Sequence, residues 1–359
     1  MELQSAQELK SRLLKDVVVP FTRAATARAT GGRRRAPSGS AFALAKELAA
    51  ASPLAVSATP GDTLPDVQRS VALGIARKGK QYLLAVRVQR PALMTSPLVE
   101  HLREEARSEV DVRMVGRIEK RQSGGSGGRM RVRPLAIGTS IGHLSVTAGT
   151  LGAFVSTGPQ TFILSNNHVL ANENAAKAGD RIVQPGVLDG GKNPTDAVAR
   201  LGKFVALRLT RANFVDAAIA QVLPGIEIDP STIRGLVGGA NRTLAGLGAD
   251  WLDEGTAVFK LGRTTGATEG RVTAFDMDNV VVAYTMGNLR FDNQVEIEGV
   301  GNAPFSDGGD SGSVIVDDAS RAVALLFAGG DTGGSNGLGL TYANPIGRVL
   351  ADLKVTLLF

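Results

Sequence analysis

Three histidines are the only imidazoles among the 359 residues, so the search for a general base is short. His168 closes the run TFILSNNH, where an apolar strand gives way to polar Ser165, Asn166 and Asn167. That places a ring at a strand end, facing a cleft. His101, between Glu100 and Arg103 in a helical pattern, reads as a surface residue, and His143 after Gly142 as a structural one. A nucleophile candidate stands in GGDSGS at 308–313. Glycines around Ser311 permit a turn that sets two backbone N–H groups, those of Gly309 and Ser311, beside its hydroxyl as an oxyanion hole. The same tetrapeptide is also an ordinary glycine-rich turn, of which GGDTGGSNG at 329–337 is another example. The third group is Asp216 in FVDAAIA, a carboxylate in an apolar strand pattern. Such a group needs a partner to offset its desolvation, and an imidazole N–H is one. Asp216 bonded to backbone at a strand edge is the alternative, while Asp180, Asp189 and Asp196 read as exposed turn residues.

The order His168, Asp216, Ser311, with spacings of 48 and 95 residues, resembles the trypsin/chymotrypsin-like serine proteases of the PA clan. SNNHVLA, GDSGS and LGRTTGATEGRV at 261–272 carry the resemblance over roughly residues 135–355. The stretches RPLAIGTSIGH, AGTLGAFV and LSNNHVLAN are most similar to the intracellular trypsin-like proteins that include the plant narrow-leaf type and bacterial relatives. The resemblance implies a serine endopeptidase working through an acyl-enzyme, with Ser311 as nucleophile, His168 as base and Asp216 orienting it. It implies a supporting pair of Lys260 with Asp310, since no cleavable site followed by Ile-Val-Gly-Gly precedes the barrels. It also sets a specificity pocket with its floor at Phe305 and Ser306 and its wall at Phe327, Ala328 and Gly329. A catalytically silent protease-fold scaffold or interaction protein is the competing reading.

The elements that must position these groups are mostly short strands. Runs such as GAFVST, QTFILS, TAVFKLG and RAVALLF, punctuated by Gly, Asn and Asp, give a mainly β chain. With the resemblance, the expected fold is a chymotrypsin-like double β-barrel with a small N-terminal α/β layer and a helical arm. The expected divisions are a helical and basic arm at 1–60, an α/β subdomain at 61–130 and the double barrel at 131–359. Within the first two, helices are expected at 3–17, 41–51 and 96–109, the last capped by Ser96 with Pro97 following. VQRSVALGIA and QYLLAVRVQ read as a hairpin, VDVRMVGRI at 110–118 as a strand, and SGGSGG at 123–128 as a flexible break. A final helix is expected from Pro345 to Leu353. GLVGGANRTLAGLG at 235–248 lacks the lysine of a phosphate loop and reads as the linker between barrels.

Composition excludes several classes. With no cysteine, neither a disulfide nor a thiolate site is available, and a reducing compartment is expected. Residues 1–20 carry charges throughout and no run reaches the length of a membrane span, so the expected location is cytoplasmic, with no membrane partner. Net charge is +6, concentrated in Arg23, Arg28 and Arg33–Arg35, but without interleaved aromatics this reads as a solvated linker and argues against nucleic acid. No metal or other cofactor is expected. The expected partner is a protein or peptide substrate, and the resemblance leaves room for a homo-oligomer.

Overall fold

The computed structural model describes residues 1–22, 47–48, 71–120, 129–249 and 252–359. Helix α1 (Leu3–Leu13) runs into a π-helical turn at Leu14–Val18, and Leu13, Val17 and Phe21 pack into one core with Leu73, Leu84 and Val86. The arm therefore docks on its own chain. Buried Lys10 pins it further, lying 2.8 Å from carboxylate oxygens of both Asp276 and Asp278. The basic stretch and the helix expected at 41–51 lie outside the described residues, apart from helical Glu47 and Leu48.

The hairpin β1 (Val71–Lys78) and β2 (Gln81–Val88) forms where the apolar runs on either side of the turn place it, and β3 (Val110–Met114) adds to β2 in parallel. The crossover between them is α2 (Pro97–Glu105), whose N-terminus is capped by Ser96 Oγ accepting from Val99 N at 3.4 Å. The strand expected over 110–118 ends at Met114, and a second piece, β4 (Glu119–Lys120), resumes after a positive-φ Gly116.

The next strands are β5 (Ser140–His143), β6 (Ala153–Thr157), β7 (Gln160–Ser165), β8 (Arg181–Val183), β9 (Ala197–Phe204) and β10 (Ala218–Val222). They form one curled sheet in the order β6-β7-β10-β9-β8-β5, with Thr356–Leu357 added to β6 and Gly149–Thr150 to β5. The 235–248 segment, expected as plain linker, includes part of a small hairpin of β11 (Thr232–Val237) and β12 (Ala240–Thr243).

A closed barrel follows. β13 (Ala257–Gly262) pairs β14 (Gly266–Asp278), then come β17 (Gln294–Gly299), β20 (Leu340–Pro345), β19 (Ala322–Gly329) and β18 (Val314–Asp317), which returns to β13. Closure removes free edges along most of its strands. β14 extends beyond the barrel to pair β1, and the hairpin β15 (Val280–Tyr284) and β16 (Gly287–Phe291) flanks it. The terminal helix α4 (Ile346–Leu353) packs Ile346, Val349 and Leu353 into the core under the curled sheet. No helix among the described residues is long and apolar enough to cross a membrane.

One interaction ties the N-terminal layer to the barrel. Arg87 on β2 is fully buried and its Nε lies 2.8 and 2.9 Å from the two oxygens of Glu296 on β17. Glu296 also accepts from Thr273 Oγ1 at 2.8 Å and Tyr342 Oη at 3.0 Å. Arg87 Nη2 faces Asp111 Oδ2 at 3.0 Å, but neither atom is aligned for a hydrogen bond, so this second contact is an ion pair only. Burial works to lower the Arg87 pKa, yet the carboxylates of Glu296 and Asp111 outweigh it and hold the pKa above its ordinary value.

Candidate active site

The polar end of β7 becomes a single helical turn, α3 (Asn167–Leu170), which carries His168 into the junction between sheet and barrel. Asn166 and Asn167 build that turn: Asn166 Nδ2 donates to the carbonyl of Asp216 at 2.7 Å, and Asn167 Nδ2 to Val205 O at 2.8 Å. Asp216 stands two residues ahead of β10, where the sequence pattern had it inside a strand. Its amide donates to Asn344 Oδ1 at 2.9 Å, so the Asp216 backbone is fixed on both sides.

The Asp216 carboxylate lies 2.5 Å from His168 Nδ1 and accepts from the His168 amide at 3.2 Å. A third donor was not legible in the sequence. Tyr284, at the end of β15, gives its hydroxyl to Asp216 Oδ2 at 2.5 Å and sets its ring edge-on to the imidazole at 5.8 Å. Burial alone pushes the Asp216 pKa up, but the His168 charge and the bonds from His168 and Tyr284 outweigh it, and the net shift is downward. Tyr284 moves the other way: burial and the neighbouring carboxylate hold its phenol well above the ordinary value.

Ser311 lies in the loop that enters β18. Its carbonyl accepts from Thr150 N at 2.8 Å, and Gly149 is wedged between that carbonyl and Val169, the residue after His168. The Ser311 hydroxyl donates to Phe327 O at 3.2 Å, and His168 Nε2 is buried without a hydrogen-bond partner. The structure therefore joins His168 to Asp216 and holds the Ser311 loop against Thr150 and Ser165, but commits the serine hydroxyl to Phe327 O. All three residues are at most 1% exposed.

The loop conformation depends on two glycines. Gly309 has φ +97°, and a Cβ there would fall 2.4 Å from both Arg263 Nη1 and Thr264 Oγ1. Gly312 has φ +94°, with Ser165 Oγ and Thr150 O occupying the space of a side chain. Thr264 Oγ1 holds the Gly308 carbonyl at 2.6 Å, which points the Gly309 N–H the opposite way across the trans peptide bond. Among the described residues, neither the Gly309 nor the Ser311 amide has an acceptor.

Asp310 anchors the loop from below. It accepts from the amides of Thr264 (2.8 Å), Thr265 (3.2 Å) and Asp307 (3.0 Å) and from Thr265 Oγ1 (2.7 Å), and Lys260 Nζ stands 3.3 Å away. Lys260 is fully buried on β13, and burial lowers its pKa against the opposing pull of Asp310. Asp189 corrects the sequence reading: its side chain is 2% exposed and takes Arg263 Nε and Nη2 at 2.6 and 2.7 Å. This pair joins sheet to barrel beside Gly309. His143 is satisfied by Asp180 at 3.3 Å and Ser145 N at 3.0 Å, and His101 is half-buried on α2.

Of the residues expected to form a specificity pocket, Phe305 packs in the barrel interior with Val258, Val272 and Ile297, its ring 5.7 Å from Lys260 Nζ. Ser306 Oγ is bonded to Thr341 Oγ1 at 2.6 Å. Phe327 packs against Phe291 with ring centroids 4.6 Å apart and the planes tilted by 45°, and Ala328 and Gly329 pair with β4. No group of three or more His, Asp or Glu among the described residues could hold a metal ion.

No family model and no curated protein matches the chain. Solved structures do. Thermobifida fusca protease A is 20% identical, with 62% of this chain and 98% of that one aligned and a TM-score of 0.44. Cellulomonas bogoriensis chymotrypsin is 18% identical over 62% and 98%, with a TM-score of 0.43. A Nocardiopsis protease is 16% identical over 63% and 99%, also at 0.43. With a closed six-stranded barrel and a curled half-barrel enclosing one polar junction, this mainly β chain has the chymotrypsin-like double-barrel fold.

Proposed function

We propose that the protein is a serine endopeptidase that hydrolyses peptide bonds through an acyl-enzyme on Ser311. The observation that carries this reading is the 2.5 Å contact of His168 Nδ1 with the buried Asp216 carboxylate, in a sheet whose Thr150 and Ser165 hold the GDSGS loop. A carboxylate on Nδ1 fixes the tautomer that leaves Nε2 free to accept a proton. Rotation of Ser311 about χ1, off Phe327 O, would offer its proton to that nitrogen. Oγ then attacks the substrate carbonyl, and the Gly309 and Ser311 amides hold the resulting oxyanion. His168 returns the proton to the leaving amine, and water repeats the sequence to free Ser311. A cytoplasmic setting and kinship with the intracellular narrow-leaf-type proteins belong to the same proposal.

The test is cleavage of a peptide library by wild type beside Ser311→Ala, with mass-spectrometric detection: wild type cuts and the variant does not. A protease-fold scaffold is favoured by one feature, the serine hydroxyl bonded to backbone with Nε2 unpartnered, and equal silence of both proteins would establish it.

Two supporting residues give graded effects. Tyr284→Phe removes one hydrogen bond to a charged group, about 1.5 kcal/mol, and kcat falls about tenfold. Lys260→Met leaves the Asp310 carboxylate buried without its cation and slackens the loop that aims Gly309 N–H. A fall in kcat on the order of 10²-fold follows, as for a lost oxyanion donor. Steady-state kinetics with unchanged thermal midpoints for Tyr284→Phe would separate the local effect from unfolding. Wild-type kcat in Lys260→Met would remove Lys260 from the account.

A further inference from the structure

The nucleophile loop has neighbours on one edge of β19, and their order is informative. β18 pairs with that edge as far as Leu325. The loop takes the next two positions, with Gly312 N donating to Leu326 O at 2.9 Å and Ser311 Oγ to Phe327 O. Beyond it, Ala328 pairs with Lys120 and Gly329 with Glu119, both from β4 and both antiparallel. On its opposite edge β19 is occupied by β20. The stretch at Ala328–Gly329 is thus the one place where this strand leaves the closed barrel's own pairing beside Ser311.

An open strand edge recognises an extended peptide by adding it as a further strand. Direction matters here. β4 runs from Glu119 to Lys120 while β19 runs from Ala328 to Gly329, so β4 advances along the edge toward Phe327 and the Ser311 loop. A peptide bound in this sense delivers the carbonyl at the C-terminal side of its bound residues to the nucleophile. That is the polarity of an acyl donor.

β4 is held there by more than its two ladder positions. Its other side pairs in parallel with β15 at Ala283, whose amide donates to Ile118 O at 3.0 Å. Val115 and Ile118 are buried in one cluster with Tyr284, Phe327 and Ala328. Lys120 is ion-paired to Glu173, in the loop that follows His168, and bonded to Thr285 Oγ1 at 3.1 Å. Glu173 also accepts from the amides of Thr285 at 3.1 Å and Met286 at 2.8 Å, so one carboxylate clips β4 and the β15–β16 turn to the histidine side of the site.

We propose that β4 is an intramolecular occupant of the β19 edge at Ala328–Gly329, where on the protease reading an extended acyl-donor peptide would pair, so that the site opens only when β4 is displaced. The proposal rests on the protease reading for the role of Ser311, but the occupancy itself does not.

Because the chain has no cysteine, a reversible clamp can be built. Glu119 and Ala283 are register partners, and neighbouring strands lie about 4.8 Å apart, within the range of about 4.4–6.8 Å that a disulfide spans. Glu119→Cys with Ala283→Cys, oxidised, locks β4 in place; Lys120→Glu, set against Glu173, loosens it. With a fluorophosphonate probe, Lys120→Glu labels faster than wild type and the oxidised clamp labels more slowly than its reduced form. If β4 is off the edge a tenth of the time, full release in Lys120→Glu gives a gain of about tenfold, since apparent reactivity scales with the competent fraction, and the oxidised clamp, whose competent fraction approaches zero, loses more than about tenfold. Equal, measurable rates in all four proteins would overturn the proposal. A second arm does not need the nucleophile. In Ser311→Ala backgrounds, a fluorescein-labelled peptide RMVGRIEK, the sequence of residues 113–120, binds the Lys120→Glu protein and not the oxidised clamp. Binding to neither, or equally to both, would overturn the proposal. Failure of every protein to label would instead count against Ser311 as nucleophile, with the peptide arm still deciding the role of β4.

Discussion

On the protease reading, Asp216→Asn lowers kcat for peptide hydrolysis by about 10⁴-fold. The carboxylate accepts three hydrogen bonds, from His168 Nδ1, the His168 amide and Tyr284 Oη. An asparagine of the same size keeps the packing but offers an NH₂ or a neutral carbonyl to Nδ1. With NH₂ facing the ring, the proton moves to Nε2 and the base is lost. With the carbonyl facing it, the tautomer survives but the imidazolium formed during turnover loses its counter-charge. Steady-state kinetics beside wild type check this, and a fall of less than tenfold would contradict it. The same variant separates a linkage effect. The folded-state pKa of Asp216 is depressed, so its contribution to stability is present above the ordinary carboxylate value and lost as pH falls through the depressed one. Below about pH 4, the wild-type advantage over Asp216→Asn shrinks in urea midpoints.

The largest effect on stability belongs to Glu296. Glu296→Ala strips the fully buried Arg87 of its two shortest contacts, at 2.8 and 2.9 Å. Arg87 cannot escape by losing its proton, because an arginine stays charged throughout the working range. Asp111 remains, its carbonyl accepting from Arg87 Nη1 at 2.9 Å but its carboxylate facing Nη2 without an aligned hydrogen bond. Leaving one partner of a buried pair uncompensated costs about 3–5 kcal/mol, and Thr273 and Tyr342 lose an acceptor as well. Chemical denaturation of Glu296→Ala therefore shows a large drop in midpoint. Arg87→Met combined with Glu296→Leu recovers most of it, since an apolar pair of similar volume removes both desolvation penalties. A double variant as unstable as the single one would refute this.

The fold was legible wherever the pattern was local. The β1–β2 hairpin, the Ser96-capped helix and the terminal helix follow from alternation, capping and 3.6-residue spacing, and the structure has them with ends shifted by a few residues. His168 and the glycine-flanked Ser311 were legible because their neighbours have to do something unusual. Tyr284 was not, since it reaches Asp216 from 68 residues away with no signature of its own. Nor was the Arg263–Asp189 pair: an aspartate in a turn looks exposed until a second element covers it. β4 escaped because two residues carry no period, and their pairing is dictated by Val115, Ile118 and Glu173. Phe305 is a different case: counting back from Ser311 gives its place in the chain, while its packing with Val258, Val272 and Ile297 comes from the structure alone.

The most direct test of the account is to treat wild type and Lys120→Glu with a fluorophosphonate and map the adduct by peptide mass spectrometry. The account predicts a single adduct on Ser311, formed faster in Lys120→Glu and absent from His168→Ala. An adduct on another residue, or none on Ser311 in either protein, would contradict it.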